Sequence, residues 1–145
     1  MKWATVADHE GKQYYGVIKN DGQTFIDIPK LAKLLNSSDP LPDTLLDALQ
    51  LGDQLLEAAA KLLEKGKDIL QEVAYRLEKL KLLAPIPRTR KNIFCVGKNY
   101  REHVKEMGPD PIPEHLIIFT KPPTAIIGCY ETIPPSYRCD GCPRL

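Results

Sequence analysis

The sequence predicts an α+β fold, in which a small N-terminal β-meander with helices precedes the start of a second, β-rich unit. Two features indicate the first unit: strand-like runs separated by turn sequences in residues 1–28, and leucines at helical spacing in residues 44–80. A third feature marks the second unit. From Leu82, prolines and basic residues lead into new strand-like apolar runs.

Three strands are expected at the N-terminus, at residues 2–7, 13–19 and 24–28. These runs are rich in β-branched, aromatic and aliphatic side chains, which favour strands. Gly11 and Gly22 lie between them, each with polar neighbours that favour a tight turn. The pattern therefore predicts an antiparallel meander.

Helical signals follow the strands. Pro29 suits the start of a short helix over residues 30–35, since a missing N–H costs little there. From Thr44, apolar residues recur at helical spacing, with breaks at Gly52 and Gly66. The spacing weakly permits a coiled-coil partner helix, but the two glycines interrupt the repeat and favour helices packed on the sheet. The residues expected in this buried stripe are Leu45, Leu46, Leu49, Leu55, Leu56, Ala59, Leu62 and Leu63, continued by Ile69, Leu70, Val73, Leu77 and Leu80.

The second unit begins after a predicted linker at residues 83–91, which is rich in proline and basic residues. Residues 93–96 are expected to form a short buried strand that Gly97 ends. Two further strands are predicted at residues 116–119 and 125–127.

A short helix is predicted between these strands, over residues 100–107, with Asn99 as its N-cap and Gly108 after its end. His103 and Glu106 are three residues apart on it, so their side chains would share a face. A carboxylate beside an imidazole raises its basicity, which makes histidine a general base near neutral pH. On spacing alone, however, such a pair is more often part of a solvated charged surface.

Two sequence motifs change that balance. The run Gly97-Lys-Asn-Tyr-Arg-Glu-His-Val-Lys-Glu-Met107, followed by Ile118-Phe-Thr-Lys-Pro-Pro-Thr-Ala-Ile-Ile-Gly128, resembles the opening of the catalytic domain of the fumarylacetoacetate hydrolase family. The preceding Leu83-Ala-Pro-Ile-Pro-Arg88 resembles the lead-in of bacterial members, including those called 2-hydroxyhepta-2,4-diene-1,7-dioate isomerases. The similarity is specific over residues 82–135 and looser before them.

The resemblance implies a chemistry. His103 and Glu106 match the catalytic dyad of the family, and Lys121 matches a lysine that lines its substrate pocket and can neutralise an oxyanion. Family members hydrolyse, decarboxylate or isomerise 2-oxo or β-diketo acids, with Mg²⁺ or Mn²⁺ held by carboxylates. The expected ligand is therefore a small 2-oxo acid.

The end of the chain departs from the family pattern. After Ile133 no Glu-x-Glu pair of metal ligands occurs, and the remaining residues do not resemble the family. We therefore expect an N-terminal domain at residues 1–82, a truncated start of the catalytic domain at residues 92–137 and an unrelated tail at residues 138–145. On this interpretation the chain binds no metal itself and is inactive alone.

Two other functions remain open. The chain could be a non-catalytic remnant that binds or oligomerises, because an incomplete catalytic sheet would expose apolar strands and favour a homo-oligomer. A small zinc-binding module is the less favoured alternative, in which Cys139 and Cys142 form a Cys-x-x-Cys pair completed by Cys129 and His115.

Composition excludes some partners. Twenty Lys and Arg against 19 Asp and Glu give a net charge of +1 without a long basic run, which argues against a nucleic-acid partner. The sequence has no uninterrupted apolar stretch long enough for a membrane span or a signal peptide. We therefore expect a cytoplasmic protein without a membrane partner, whose four cysteines stay reduced.

Overall fold

The computed structural model describes residues 1–37, 41–98, 100, 102, 104 and 115–133. Short 3₁₀ turns occur at Leu49–Leu51, Lys67–Glu72, Leu77–Lys79 and Pro123–Ala125. The helices are α1 (Ile28–Leu34), α2 (Leu45–Ala48) and α3 (Asp53–Lys65), and the strands are β1 (Lys2–Ala7), β2 (Gln13–Ile18), β3 (Thr24–Asp27), β4 (Ala74–Arg76), β5 (Lys81–Leu82), β6 (Ile93–Gly97) and β7 (Ile117–Lys121).

The predicted meander is confirmed as the centre of an antiparallel five-stranded sheet, in the order β4-β3-β2-β1-β5. The third strand is one residue shorter than predicted, because Asp27 caps α1. Its carboxylate accepts a hydrogen bond from the backbone N–H of Lys30 at 2.8 Å, so Ile28 already belongs to the helix.

The helices cover one part of this sheet and form its largest core cluster. Leu31 of α1 and Ala59 of α3 pack with Val17 and Ile26 of the sheet. The predicted stripe of α3 is confirmed at Leu55, Ala59 and Leu62, which are buried. It is wrong at Leu49 and Leu56, which are 46% and 48% exposed, because the 3₁₀ turn before Gly52 changes the helical phase and the buried stripe of α3 is narrow.

The helix predicted after Gly66 is also wrong. The chain instead forms a 3₁₀ turn, then β4 beside β3 and β5 beside β1. Tyr75 lies opposite Phe25, so the segment covers an edge of the meander that would otherwise leave backbone groups unpaired. Of the residues assigned to that helix, Val73 is fully buried at the point where β4 begins.

The residues of the predicted linker run along the N-terminal sheet. The backbone N–H of Leu83 donates to the carbonyl of Thr5 at 3.0 Å, and the Thr5 hydroxyl donates to the carbonyl of Pro85 at 2.6 Å. Further on, the Arg90 guanidinium forms an ion pair with Asp47 in α2. These contacts fix both ends of the segment that leads into β6.

Strands β6 and β7 form a separate two-stranded antiparallel ribbon, which we call the ribbon. The positions of both predicted strands are confirmed, although β7 is shifted towards Lys121. The expected burial of β6 is wrong, since Phe94 is 73% exposed, and this exposure agrees instead with the exposed apolar strands expected of an incomplete sheet. The strand predicted at residues 125–127 is wrong as well, because a turn in which the N–H of Ala125 donates to the carbonyl of Pro122 takes its place.

The helix predicted at residues 100–107 lies largely outside the described residues. Glu102 and Val104 are helical, and the N–H of Val104 donates to the carbonyl of Tyr100 at 3.1 Å. The N-cap Asn99, the stop at Gly108 and the tail at residues 138–145 also lie outside the described part. The domain boundaries therefore remain predictions.

Candidate functional site

Lys121 is the one member of the predicted catalytic set that the structure describes; His103 and Glu106 lie outside the described residues. Lys121 is the last residue of β7 and pairs with Ile93, the first residue of β6. Its side chain is exposed, and its Nζ lies 6.0 Å from the centroid of the Phe119 ring. This distance is at the limit of a cation–π contact, so the Phe119 ring holds the ammonium group only weakly.

The ribbon has two apolar faces. Because side chains alternate along a strand, Cys95, Phe119 and Lys121 share one face. Phe94 and Ile118 lie on the other, where they are 73% and 59% exposed. A strand pair that is apolar on both faces is typical of the interior of a larger sheet fold, and two strands alone are marginal in water.

The register of the ribbon separates Lys121 from the point where the chain turns towards His103. That turn follows Gly97, which pairs with Ile117 at the opposite end of the ribbon. Four residue steps of an antiparallel strand span about 13 Å. The described backbone therefore does not by itself bring the lysine and the dyad together.

Glu131 is the first described acidic residue after Lys121 in the sequence, and its carboxylate contacts other groups. Glu131 accepts from the Lys81 ammonium at 2.6 Å and from the backbone N–H of Gly128 at 2.7 Å, one contact for each of its carboxylate oxygens. These hydrogen bonds, first that of Lys81 and then that of Gly128, hold the pKa of Glu131 below its ordinary value. Sequence reasoning gave Glu131 no such role, since its lysine partner is remote in the chain.

The described residues do not fit the divalent cation that the family resemblance implies. Among them no group of three or more His, Cys, Asp or Glu side chains is placed to hold a metal ion. The same test bears on the zinc alternative: Cys129 and His115 are exposed, and Cys139 and Cys142 lie outside the described part. A carboxylate set for Mg²⁺ or Mn²⁺ would need residues beyond those described.

The clefts of the N-terminal part lie away from the lysine. One of about 500 Å³ is bounded by Tyr15, the N-terminus of α2 and the segment from Pro85 to Arg90. Another, of about 440 Å³, borders Lys81, Gly128 and Glu131. Neither is lined by Lys121, which is presented on the open ribbon. In the described part of the chain no helix is long and apolar enough to cross a membrane.

Comparison with known proteins identifies a family model and relatives that resemble this chain. Residues 92–141 match the family model of the fumarylacetoacetate hydrolase C-terminal domain. Oxaloacetate tautomerase YisK of Bacillus subtilis (strain 168) is 39% identical over 132 residues, which cover 88% of this chain and 43% of that protein. The mitochondrial oxaloacetate tautomerase FAHD2A of Bos taurus is 32% identical over 128 residues, covering 88% of this chain and 36% of that protein.

A more local similarity points the same way. Protein Rv2993c of Mycobacterium tuberculosis (strain ATCC 25618 / H37Rv) is 49% identical over 55 residues, covering 38% of this chain and 20% of that protein. The chain thus spans less than half the length of these curated relatives. From the family model and the relatives together, we conclude that this chain belongs to the fumarylacetoacetate hydrolase family.

Proposed function

We propose that the chain supplies the dyad His103–Glu106 and Lys121 to a metal-dependent enzyme that acts on a 2-oxo acid, and that it is inactive alone. Keto–enol tautomerisation of oxaloacetate is the reaction we favour. The observation that carries the proposal is the similarity over 88% of the chain to two proteins named oxaloacetate tautomerase. The exposed Lys121 ammonium at the end of the ribbon supports it.

The reaction needs a proton to move between carbon and oxygen. A base removes a proton from the methylene beside the ketone, the C–H electron pair forms the C=C bond, and the carbonyl oxygen takes up the negative charge and then a proton. His103, made more basic by Glu106, is the proposed base. Lys121 stabilises the charged oxygen by donating a hydrogen bond to it.

The divalent ion of the family would polarise the same oxygen. The described residues do not fit such an ion, and no Glu-x-Glu pair follows Ile133 in the sequence. The missing carboxylates would therefore come from outside this chain. This requirement is the reason for proposing that the chain is inactive alone. Hydrolysis or decarboxylation of a related 2-oxo or β-diketo acid would use the same base and the same oxyanion contact.

The proposal is tested with the purified chain and with a chimera, in which residues 1–133 are joined to the remaining catalytic sequence of the Bacillus subtilis relative. Enol-to-keto conversion of oxaloacetate is followed with added Mn²⁺. We expect no acceleration by the chain and clear acceleration by the chimera. His103→Ala should lower the chimera's rate by about 10²- to 10⁴-fold, and Lys121→Met by about 10²- to 10³-fold.

Two exposed residues outside the motifs provide matched controls. His115→Ala and Lys91→Met remove the same side-chain types and should leave the rate unchanged. Turnover by the unmodified chain would overturn its inactivity. A folded, active chimera that is insensitive to His103→Ala would overturn the proposed base.

A second function is favoured by a specific observation. The ribbon exposes apolar side chains on both faces, which suits a chain that associates with itself. Association is compatible with the enzymatic proposal, because both would cover the ribbon. It would be the chain's main property if the chimera were inactive.

A further inference from the structure

The segment that follows Lys121 is folded back onto the N-terminal sheet. Pro122 and Pro123 restrict the backbone directly after the lysine, and a 3₁₀ turn follows at Pro123–Ala125. Gly128 is buried against the chain that leaves β5. A Cβ atom at Gly128 would lie 3.1 Å from the carbonyl oxygen of Leu82, so the glycine permits a backbone approach that a side chain would hinder.

Polar contacts of Glu131 hold Gly128 close to the chain that leaves β5. Glu131 accepts from Lys81 in β5 with one carboxylate oxygen and from the N–H of Gly128 with the other, and its own N–H donates to the Gly128 carbonyl at 3.1 Å. We call Lys81, Gly128 and Glu131 the clasp. It joins strand β5 to the end of β7 through a loop whose backbone is already restricted.

The clasp has a counterpart on the other strand of the ribbon. Ile93, the partner of Lys121, is preceded by a segment fixed by the Thr5–Pro85 hydrogen bond and the Arg90–Asp47 ion pair. Both strands of the ribbon are therefore anchored at the end that carries Lys121.

We propose that the clasp docks the Lys121 end of the ribbon onto the N-terminal sheet, and that Glu131 is a positioning residue for Lys121. The docking stands on contacts within this chain. Its value for catalysis rests on the role proposed for Lys121 above. The N-terminal sheet is then a platform that sets where the lysine is presented, in addition to being a folded domain.

Amide hydrogen exchange of the unmodified chain and its variants tests the docking directly, without any turnover. The amides of Ile117–Lys121 report the ribbon, and those of Lys2–Ala7 report the N-terminal sheet. Gly128→Ala should accelerate exchange in the ribbon about tenfold, because the backbone approach must open. Glu131→Gln keeps an acceptor for the Gly128 N–H but loses the ion pair, so an acceleration of about two- to threefold is expected.

A double-mutant cycle separates coupling from general destabilisation. Lys81→Met should accelerate ribbon exchange as much as Glu131→Gln does, and the double variant should exchange little faster than either single variant. Lys81→Arg keeps the positive charge, so its ribbon should exchange at the parent rate. The matched control is the exposed ion pair Lys67–Glu64 of the N-terminal part, whose removal by Lys67→Met should leave ribbon exchange unchanged.

The docking is overturned if Gly128→Ala and the cycle leave ribbon exchange unchanged while β1 keeps its protection. It is also overturned if the ribbon of the parent chain already exchanges at the rate of an unfolded peptide. Should Gly128→Ala lose the protection of β1, the milder Glu131→Gln and Lys81→Met variants decide the question alone. Protected, clasp-dependent exchange together with an active chimera that is insensitive to Lys121→Met would retain the docking and refute only the proposed role of Lys121. An inactive chimera with the same exchange pattern would retain the docking and refute the proposed function.

Discussion

The apolar ribbon predicts that the chain associates, and Phe94→Ser tests this most sharply. Phe94 is the most exposed of the large apolar side chains of the ribbon, at 73%, and it shares a face with Val96 and Ile118, which are 45% and 59% exposed. A contiguous apolar surface of this kind favours contact with another protein surface. Among the described residues no further strand pairs with the ribbon, so its edges, whose strands carry a single charged residue at Lys121, add backbone groups to the same surface.

The size of the effect follows from the exposed area. Full burial of a phenylalanine side chain contributes roughly 1.5–3 kcal/mol, so covering the exposed part of Phe94 contributes about 2 kcal/mol per protomer. In a symmetric dimer both copies are covered, which gives about 4 kcal/mol. The Phe94→Ser variant should therefore dissociate about a thousandfold more readily than the parent chain.

Sedimentation velocity over a range of protein concentrations measures this change. The matched control is Leu56→Ser, since Leu56 is 48% exposed on α3 of the N-terminal part. We expect the control to associate like the parent chain. A parent chain that stays monomeric at every concentration and melts sharply would refute the argument, and so would a Leu56→Ser variant as weakened as Phe94→Ser.

Three substitutions in the N-terminal sheet test its packing and electrostatics. Gly16→Ala should lower the free energy of unfolding by about 3 kcal/mol or more in denaturant titrations, because its Cβ would lie 1.9 Å from the Ile26 carbonyl oxygen. The control Gly22→Ala has open space around its Cβ but a φ of 68°, so it should lower the free energy of unfolding by only about 1 kcal/mol. Burial raises the pKa of Asp27 above 3.8, so this carboxyl favours folding most below pH 3.8 and loses that contribution as pH rises through its folded pKa. Asp27→Asn keeps the helix cap but does not titrate, so its melting temperature should rise relative to that of the parent as pH rises above 3.8. A difference in melting temperature that does not change with pH would contradict this. Hydrogen bonds from the Thr24 hydroxyl and from the backbone N–H groups of Gln23 and Thr24 lower the pKa of Asp21 to about 2, so Asp21→Asn should lose stability relative to the parent above pH 3.8, with the difference disappearing as pH falls towards 2.

The parts of the fold predicted from sequence are those determined by short-range signals. The first three strands are bounded by turns whose chemistry is local: Asp21 accepts hydrogen bonds from the N–H groups of Gln23 and Thr24, and Gly22 supplies the positive φ. The signal for α1 is local as well, since Asp27 caps it three residues before Lys30, but the prediction from Pro29 placed its start two residues too late. Turn and cap residues of this kind can be recognised in the sequence without knowing which segments pack on them.

The error that changed the sheet most occurs where a distant segment decides the structure. Residues 74–76 form a strand because β3 offers an edge to them, with Tyr75 opposite Phe25. A leucine pattern cannot reveal that edge, and it predicted a helix. The prediction that β6 is buried was wrong because an apolar strand indicates burial only if other segments cover it, and the described residues leave Phe94 exposed.

The candidate site divides in the same way. The two motifs identified the family and named Lys121, but the register of the ribbon could not be read from them. Glu131 was missed because its partner Lys81 is fifty residues earlier in the sequence, and no local pattern marks an ion pair of that separation. Its signal was present only as a carboxylate three residues after Gly128.

The position of Lys121 on the ribbon restricts how the proposed chemistry can work. The lysine is at the anchored end, and the chain turns towards His103 from the other end, about 13 Å away along the strand. One small 2-oxo acid can meet both groups only if the dyad is brought back along the ribbon towards Lys121. Cys95 and Phe119 lie on the same face as the lysine, so this face is where such a substrate would have to bind. In the active chimera, Phe119→Leu should therefore raise the KM for oxaloacetate, whereas Phe94→Leu, which makes the same apolar change on the opposite face, should leave the KM unchanged. Equal effects of the two substitutions would show that the dyad and the lysine do not meet across that face.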